Sequence, residues 1–593
     1  MKKLSIFLLI TIMLTSFGGG EIVQAGGLDR ISQNVDNFIE ERKEGTASVS
    51  MGVFKAGEMV HKTQYGYIDV ENRVPANEDA IYEWGSVSKV LVWISLMQLE
   101  EVGKIDLTED VKTYLPEDFA SELKYPHPIT FMDIMNLQSS FQELGVKTEY
   151  EENEAIPPLD QLLIDSEPVQ IYEPGTVTAY NNWTPALAAY VVESLTGQKF
   201  YDYVRENIFR PLGMEHTAVA ADWSDNPYAQ KNRPKSKSYY YTSEDHESLG
   251  TSILHVGLYP AGACAGTFDD FLIFATEFTK DHPRFFKEAS TFEDMKEASA
   301  LYEDGLPKVH HGLLSLDDTE HLIGHSGNTQ GFTSSFWFEP KTQTGYAVMT
   351  NEPGETAYNY GFAPLLFGTS NPEAQESPDI SGIYVSRRTI ERGTLRFIKY
   401  LSGLLPIKST DKEGVFQIPL VGVTITNMGN HRYHFDNGNG LAYQTVQKAG
   451  GGLETFTADY EPLSCWEIIS AYTLLLAMLL NLVAMVCRII YLLVQLLRGR
   501  SFKVMTPGMI SHIAGSLISM TFIYLWILAD SYSKRKLFVT ALICVLSSAV
   551  ILLNFFHQIY NRTKGEENSP LPVTWPLIMP MAVYFYQLYN FWV

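Results

Sequence analysis

Cysteine is scarce in this chain: four residues in 593, Cys264, Cys465, Cys487 and Cys544, at scattered positions. That excludes a disulfide framework and a cysteine-based metal site. Cys487 and Cys544 fall in apolar runs and read as small hydrophobes. Positive charge is also short. Forty-four Lys and Arg stand against 69 Asp and Glu, a formal net charge of -25. No basic face is then on offer to displace counterions, which argues against a nucleic-acid partner. No metal or cofactor is expected either.

What the chain does have is apolar sequence at both ends. Residues 1–25 read as a secretory signal peptide, with Lys2 and Lys3, an apolar core at 4–14, and the small-residue cleavage site Val23-Gln24-Ala25. From Trp466 onward, the runs 468–486, 509–528 and 537–556 each approach the twenty residues needed to cross a bilayer. A fourth candidate, 571–593, is aromatic-rich but contains Pro572, Pro576 and Pro580. The expectation is a membrane domain of three to four transmembrane helices over 466–593, placing the protein in the cell membrane as a multi-pass chain. Export of the preceding part puts Arg498, Arg500 and Lys503 in the cytoplasm, as basic loops prefer. The next loop, Lys534-Arg535-Lys536, then falls outside, against that preference. Ser511, His512, Ser516 and Ser519 within these runs read as interhelical hydrogen-bonding groups.

The length leaves room for three or four domains. Period-two alternation from Ala47 to Phe54, a Lys55-Ala56-Gly57 turn and Met59-Val60-His61-Lys62 predict a β-hairpin, continued by Tyr65-Gly66-Tyr67. Helical patterning dominates to about Gly213, and strands return between about 257 and 349. Helices inserted between parts of one antiparallel sheet give an α/β (α+β) sandwich, the sheet flanked by helices. Residues 371–460 change to short strands punctuated by Gly403, Gly414, Gly422 and Asn437-Gly438, a small all-β domain with no legible site.

Chemistry concentrates in Glu83-Trp84-Gly85-Ser86-Val87-Ser88-Lys89 and the apolar run that follows. A Ser and a Lys three apart at a helix start share one face. Burial against an apolar helix disfavours the ammonium, leaving an amine that can serve as a base for the hydroxyl. Gly85 suits a tight strand-to-helix turn. The plainer reading, a solvated Lys near a helix start, applies to this pattern alone. Two further stretches carry suitable groups. Tyr180-Asn181-Asn182 precedes the helix-like 185–195; a Tyr hydroxyl can relay a proton and an Asn amide can hold a carbonyl, though a turn and cap would look the same. Gly324-His325-Ser326-Gly327-Asn328 precedes a strand-like run, where glycine lets another backbone come close.

Together, Ser86-x-x-Lys89, Tyr180-x-Asn182 and His325-x-Gly327 resemble the three motifs of the serine β-lactamase and penicillin-binding-protein superfamily, most closely its class C-like serine hydrolases. Gly66-Tyr67-Ile68-Asp69, Pro211-Leu212-Gly213-Met214 and Pro260-Ala261-Gly262 add to the likeness, which frames a domain at 28–365. The resemblance implies catalytic roles for Ser86 as acylated nucleophile, Lys89 as its base and Tyr180 as proton shuttle. It implies that Asn182 orients the substrate amide and that His325 stands where relatives carry Lys, supporting Tyr180 or a substrate carboxylate. Backbone at Ser86 and Asn328, beside Gly327, would hold an oxyanion. Leu137-Gln138-Ser139-Ser140-Phe141 departs from a segment that shapes the cleft wall in relatives. No acidic deacylation base of the class A kind is visible. The small all-β domain resembles the barrel-like modules following such hydrolases.

The implied function is a membrane-anchored extracytoplasmic peptidase or amidase acting on a peptide or β-lactam-like small substrate. Cell-wall D-amino-acid peptides, β-lactams and a secreted peptide prodrug are the candidates, the last from a likeness in layout to the membrane peptidases of colibactin-type prodrugs. An esterase, a penicillin-binding sensor with little turnover and a wall-binding protein are the alternatives.

Overall fold

The computed structural model describes residues 28–316, 322–368, 378–419, 421–499, 507–528, 533–564 and 577–590. The segment 1–25, the linker 369–377, Arg500 and Lys503 lie outside them.

The first unit is built on a nine-stranded antiparallel sheet. In spatial order its strands are Ala300–Leu301, Pro307–His310, Leu313–Ser315, Ile323–Asn328, Thr333–Glu339, Thr344–Thr350, Ser48–Lys55, Glu58–Asp69 and Val74–Pro75. The hairpin Ser48–Lys55/Glu58–Asp69 turns at Ala56 and Gly57, both at positive φ (48° and 79°). Such a two-residue turn matches the twist of antiparallel strands. Ser48–Lys55 then pairs with Thr344–Thr350, with Met51 opposite Val348, so the two ends of the domain meet in mid-sheet.

Period two sorts side chains between two cores. Phe336 and Phe338 join Ala347 and Met349 on the face covered by the helix Phe268–Glu277, in a core continued by the helices Ser88–Glu101 and Trp183–Thr196. Trp337, Tyr346 and Val348 point the other way, under Val35, Phe38 and Ile39 of the N-terminal helix Leu28–Glu40. Ser88–Glu101 has buried residues on every side, including Lys89, Trp93 and Leu96. A helix apolar all round belongs in the centre of a large domain, and this one carries the nucleophile motif into the core.

Eight strands from Gly382–Ser386 to Asp459–Pro462 form a closed barrel, sealed where Tyr384 pairs with Pro462. Ile380, Ile407, Phe416, Ile425, Tyr433 and Leu453 fill it. The fold is therefore a β-lactamase-like α/β unit, a separate β-barrel and an apolar helical end. Among the described residues three helices are long and apolar enough to cross a membrane: Cys465–Leu497, Met509–Trp526 and Lys534–Thr563. They expose Leu476, Leu497, Leu553 and Phe556, a surface suited to lipid. Of the fourth candidate, the described part holds an eight-residue helix, Ile578–Phe585, packed against the others. Inside the bundle, Asn481 donates to Ser516 and lies 3.2 Å from His512 Nδ1, an interhelical polar contact. The four cysteines are unpaired.

Candidate active site

Strand Ile81–Glu83 runs through Trp84 into a 3-10 turn, Gly85–Val87, and on into the helix Ser88–Glu101. Gly85 sits at φ 51°, and a Cβ there would meet Asn328 N at 2.7 Å. Across the gap, a Cβ on Gly327 would meet Trp84 O at 2.0 Å and Ser86 N at 2.7 Å. Glycine at both positions is what lets the end of Ile323–Asn328 lie against the turn carrying Ser86. The backbone of Asn328 is thereby brought beside that of Ser86.

Lys89 is fully buried, with Nζ 3.1 Å from Ser86 Oγ, 2.8 Å from Asn182 Oδ1 and 2.6 Å from Ala261 O. Burial, and after it the positive charge of Arg388, hold its pKa well below the usual lysine value. A neutral amine has two N–H donors and one lone pair. Asn182 and Ala261 offer two acceptors that can only accept, leaving the lone pair for the Ser86 hydroxyl, which can donate. The donor count thus suits an uncharged base.

Asn182 is free for this contact because its neighbour does the capping. Asn181 Oδ1 accepts from Trp183 N and Thr184 N at the head of Trp183–Thr196. Tyr180 is 6% exposed, and its hydroxyl has no hydrogen-bond partner among the described residues. Lys89 Nζ lies 4.8 Å from its ring centroid. Burial pushes the phenol up, while the Ser86 hydroxyl and the Arg388 charge pull the other way. The phenol thus lies buried beside the Ser86 hydroxyl with hydrogen-bonding capacity to spare.

The departing segment at 137–141 lies behind this constellation. Leu137 O accepts from Ala179 N, and Ser139 Oγ accepts from Asn181 Nδ2 at 3.0 Å. Leu137 and Ser140 adopt φ of 60° and 73°, strained for side-chain-bearing residues. The segment anchors the irregular stretch that carries Tyr180.

His325 is 2% exposed, and its Nδ1–H donates to Ser326 O at 2.7 Å. Burial, then the charge of Lys89, push its pKa down to about 3. The third-motif position therefore carries a neutral imidazole. An open cleft begins at Ser86, Asn182 and Asn328 and is walled by Glu149, Leu254 and Gln330.

Three groups beside the site were not singled out as functional from the sequence. Glu83 is in a buried ion pair with Arg233, which is fully buried. Arg233 also donates to Ser236 O and Thr251 O. Arg388 and Glu143 cap Tyr180, and no local motif marks either. His255 is satisfied in the core, with Nδ1 2.9 Å from Ala221 O. Among the described residues no group of acidic, His and Cys side chains could hold a metal.

A β-lactamase family profile matches residues 35–363. A Bacillus subtilis (strain 168) relative named as a penicillin-binding protein, PbpX, is 28% identical over 199 residues, 33% of this chain and 47% of its own. Protein flp of Staphylococcus aureus (strain MRSA252) is 22% identical over 336 residues, 54% of this chain and 62% of its own. The chain thus spans 47% and 62% of the length of these two relatives. Among solved structures, SurE superposes with a TM-score of 0.51 at 15% identity, covering 74% of this chain and 99% of that one, a likeness of fold alone.

Proposed function

The chain belongs to the β-lactamase family, and we propose that it is a membrane-anchored serine hydrolase whose catalytic domain works outside the cytoplasm, cleaving an amide through an acyl-enzyme on Ser86. The observation that carries this reading is the set of partners around Lys89: two carbonyl acceptors and one hydroxyl. In the proposed cycle, neutral Lys89 takes the Ser86 proton as Oγ bonds to the acyl carbon. N–H groups of Ser86 and Asn328 hold the resulting oxyanion. Tyr180 gives its hydroxyl proton to the leaving nitrogen, the C–N bond breaks, and Lys89 restores the phenol. Water then repeats the sequence in place of Ser86, releasing the acid and the free hydroxyl. Asn182, besides fixing Lys89, presents its amide to the substrate.

Peptides of D-amino acids, including those of the cell wall, and β-lactams are the proposed substrate classes. Esters would suit the same groups. The membrane role rests on the three apolar helices, and the outward orientation on the signal-like N-terminus. Names such as penicillin-binding protein among the relatives favour one second reading, a protein that acylates but turns over slowly.

A fluorescent β-lactam or fluorophosphonate tests both. The wild-type protein should take the label and Ser86→Ala should not. Rapid loss of label supports a hydrolase, a persistent one the slow-turnover reading. Equal labelling of Ser86→Ala contradicts the proposal.

A further inference from the structure

Arg388 reaches the site from the barrel. It lies just beyond the strand Gly382–Ser386, on the connection to Leu404–Ser409. Its guanidinium carbon is 4.8 Å from the Tyr180 ring centroid, and its Nε donates to Glu143 Oε2 at 2.8 Å. With Lys89 Nζ also 4.8 Å from that ring, the buried phenol lies between the Lys89 amine and the Arg388–Glu143 ion pair.

The connection is held from two sides. On the catalytic side, Gln142 Oε1 accepts from Glu391 N and Arg392 N, and Glu143 N donates to Thr389 O. On the bundle side, Thr394 N donates to Asn590 O, Gly393 N to Gln587 Oε1 and Arg396 to Phe585 O. Tyr400 OH donates to Glu467 at the head of Cys465–Leu497. Arg388 is thus fixed over Tyr180 by a segment tied to the catalytic domain and to the membrane helices together.

We infer that Arg388 and Glu143 form a positioning pair, supplied across the domain border, that holds Tyr180 and sets the field in which Lys89 and Tyr180 exchange protons. The inference rests on the reading of Ser86 as nucleophile and Lys89 as its base. A guanidinium near Lys89 disfavours the ammonium, and a carboxylate favours it. Burial is the largest influence on Lys89; Arg388 comes next and lowers its pKa, while Glu143 raises it. At Tyr180, Arg388 favours the phenolate and Glu143 opposes it. The other titratable groups facing Lys89 are Tyr180 itself and His325, which is neutral. The Arg388 side chain is 39% exposed, so dissolved salt should weaken its influence.

The test is the rate of Ser86 acylation by the fluorescent probe, followed across pH in the full-length protein in detergent. Lys89 must be uncharged to accept the proton, so the rate climbs as pH rises through its pKa. Arg388→Met removes a charge that lowers that pKa, and the acid limb should move to higher pH. Glu143→Gln removes a charge that raises it, and the limb should move to lower pH. Arg388→Lys should leave the limb near wild type while lowering the plateau, because the planar contact with the ring is lost. Added salt should shrink the Arg388→Met displacement. Limbs that stay in place in both Arg388→Met and Glu143→Gln, with only plateau rates altered, would overturn the inference in favour of a purely structural pair. Should Arg388→Met not fold, Glu143→Gln and Arg388→Lys carry the same decision. A wild-type protein that takes no label would overturn the proposed function itself, and the inference with it.

Discussion

Replacing His325 with Gln should slow acylation without moving its acid limb, because the imidazole is already uncharged at neutral pH. Burial, then the charge of Lys89, push its pKa down to about 3. A limb displaced in His325→Gln would show that the histidine carries charge in the working enzyme. Arg233→Met has a different expected effect. It strands the buried Glu83 carboxylate, and breaking such a pair costs about 3–5 kcal/mol. The measurement is chemical denaturation, and a midpoint equal to wild type would contradict it. At this scale Ser86, Lys89 and Tyr180 were legible because motif spacing fixes them on local elements. Asn182 was ambiguous, since a cap and a ligand look alike until Asn181 is seen taking the capping bonds. Arg388 and Glu143 were not legible. They reach Tyr180 through tertiary packing between domains, and period or spacing carries no trace of that.

The close approach of two backbones gives the prediction at the scale of elements. Gly327→Ala would push a Cβ into Trp84 O and the Ser86 amide. Acylation should fall steeply, and overpacking of this kind costs roughly 1–3 kcal/mol in stability. Normal labelling by Gly327→Ala would mean that the Ile323–Asn328 strand does not shape the oxyanion site. The long strands and the largely buried helices Ser88–Glu101 and Trp183–Thr196 could be read from alternation and from continuous apolar sequence. Pairs such as Ala265–Thr267 with Thr217–Ala218 could not, being two or three residues long and specified by distant partners.

Across the whole molecule, the barrel backs the site as well as capping it. Tyr180 N donates to Thr457 O, and Asp459 N donates to Thr178 O. The buried Lys308 lies between Thr178 and Glu454. Lys534, at the head of its apolar helix, lies in electrostatic range of Asp165, Lys124 and Glu167. The two carboxylates among these neighbours are a physical reason to expect the basic loop on the same side as residues 28–365, where loop charge alone argues the opposite. In a background with the native cysteines replaced, Lys534→Cys should react with an impermeant thiol reagent from the same side as the catalytic domain, and Arg498→Cys from the other. Labelling of both from one side would contradict that topology. Apolar runs marked the helices; charge counts alone leave open which side this loop takes.

The most direct measurement is peptide mapping by mass spectrometry after brief exposure to the acylating probe. The account predicts a single adduct on the peptide holding Ser86, present in wild type and absent from Lys89→Ala. An adduct elsewhere, or Lys89→Ala acylated at Ser86 as fast as wild type, would contradict it.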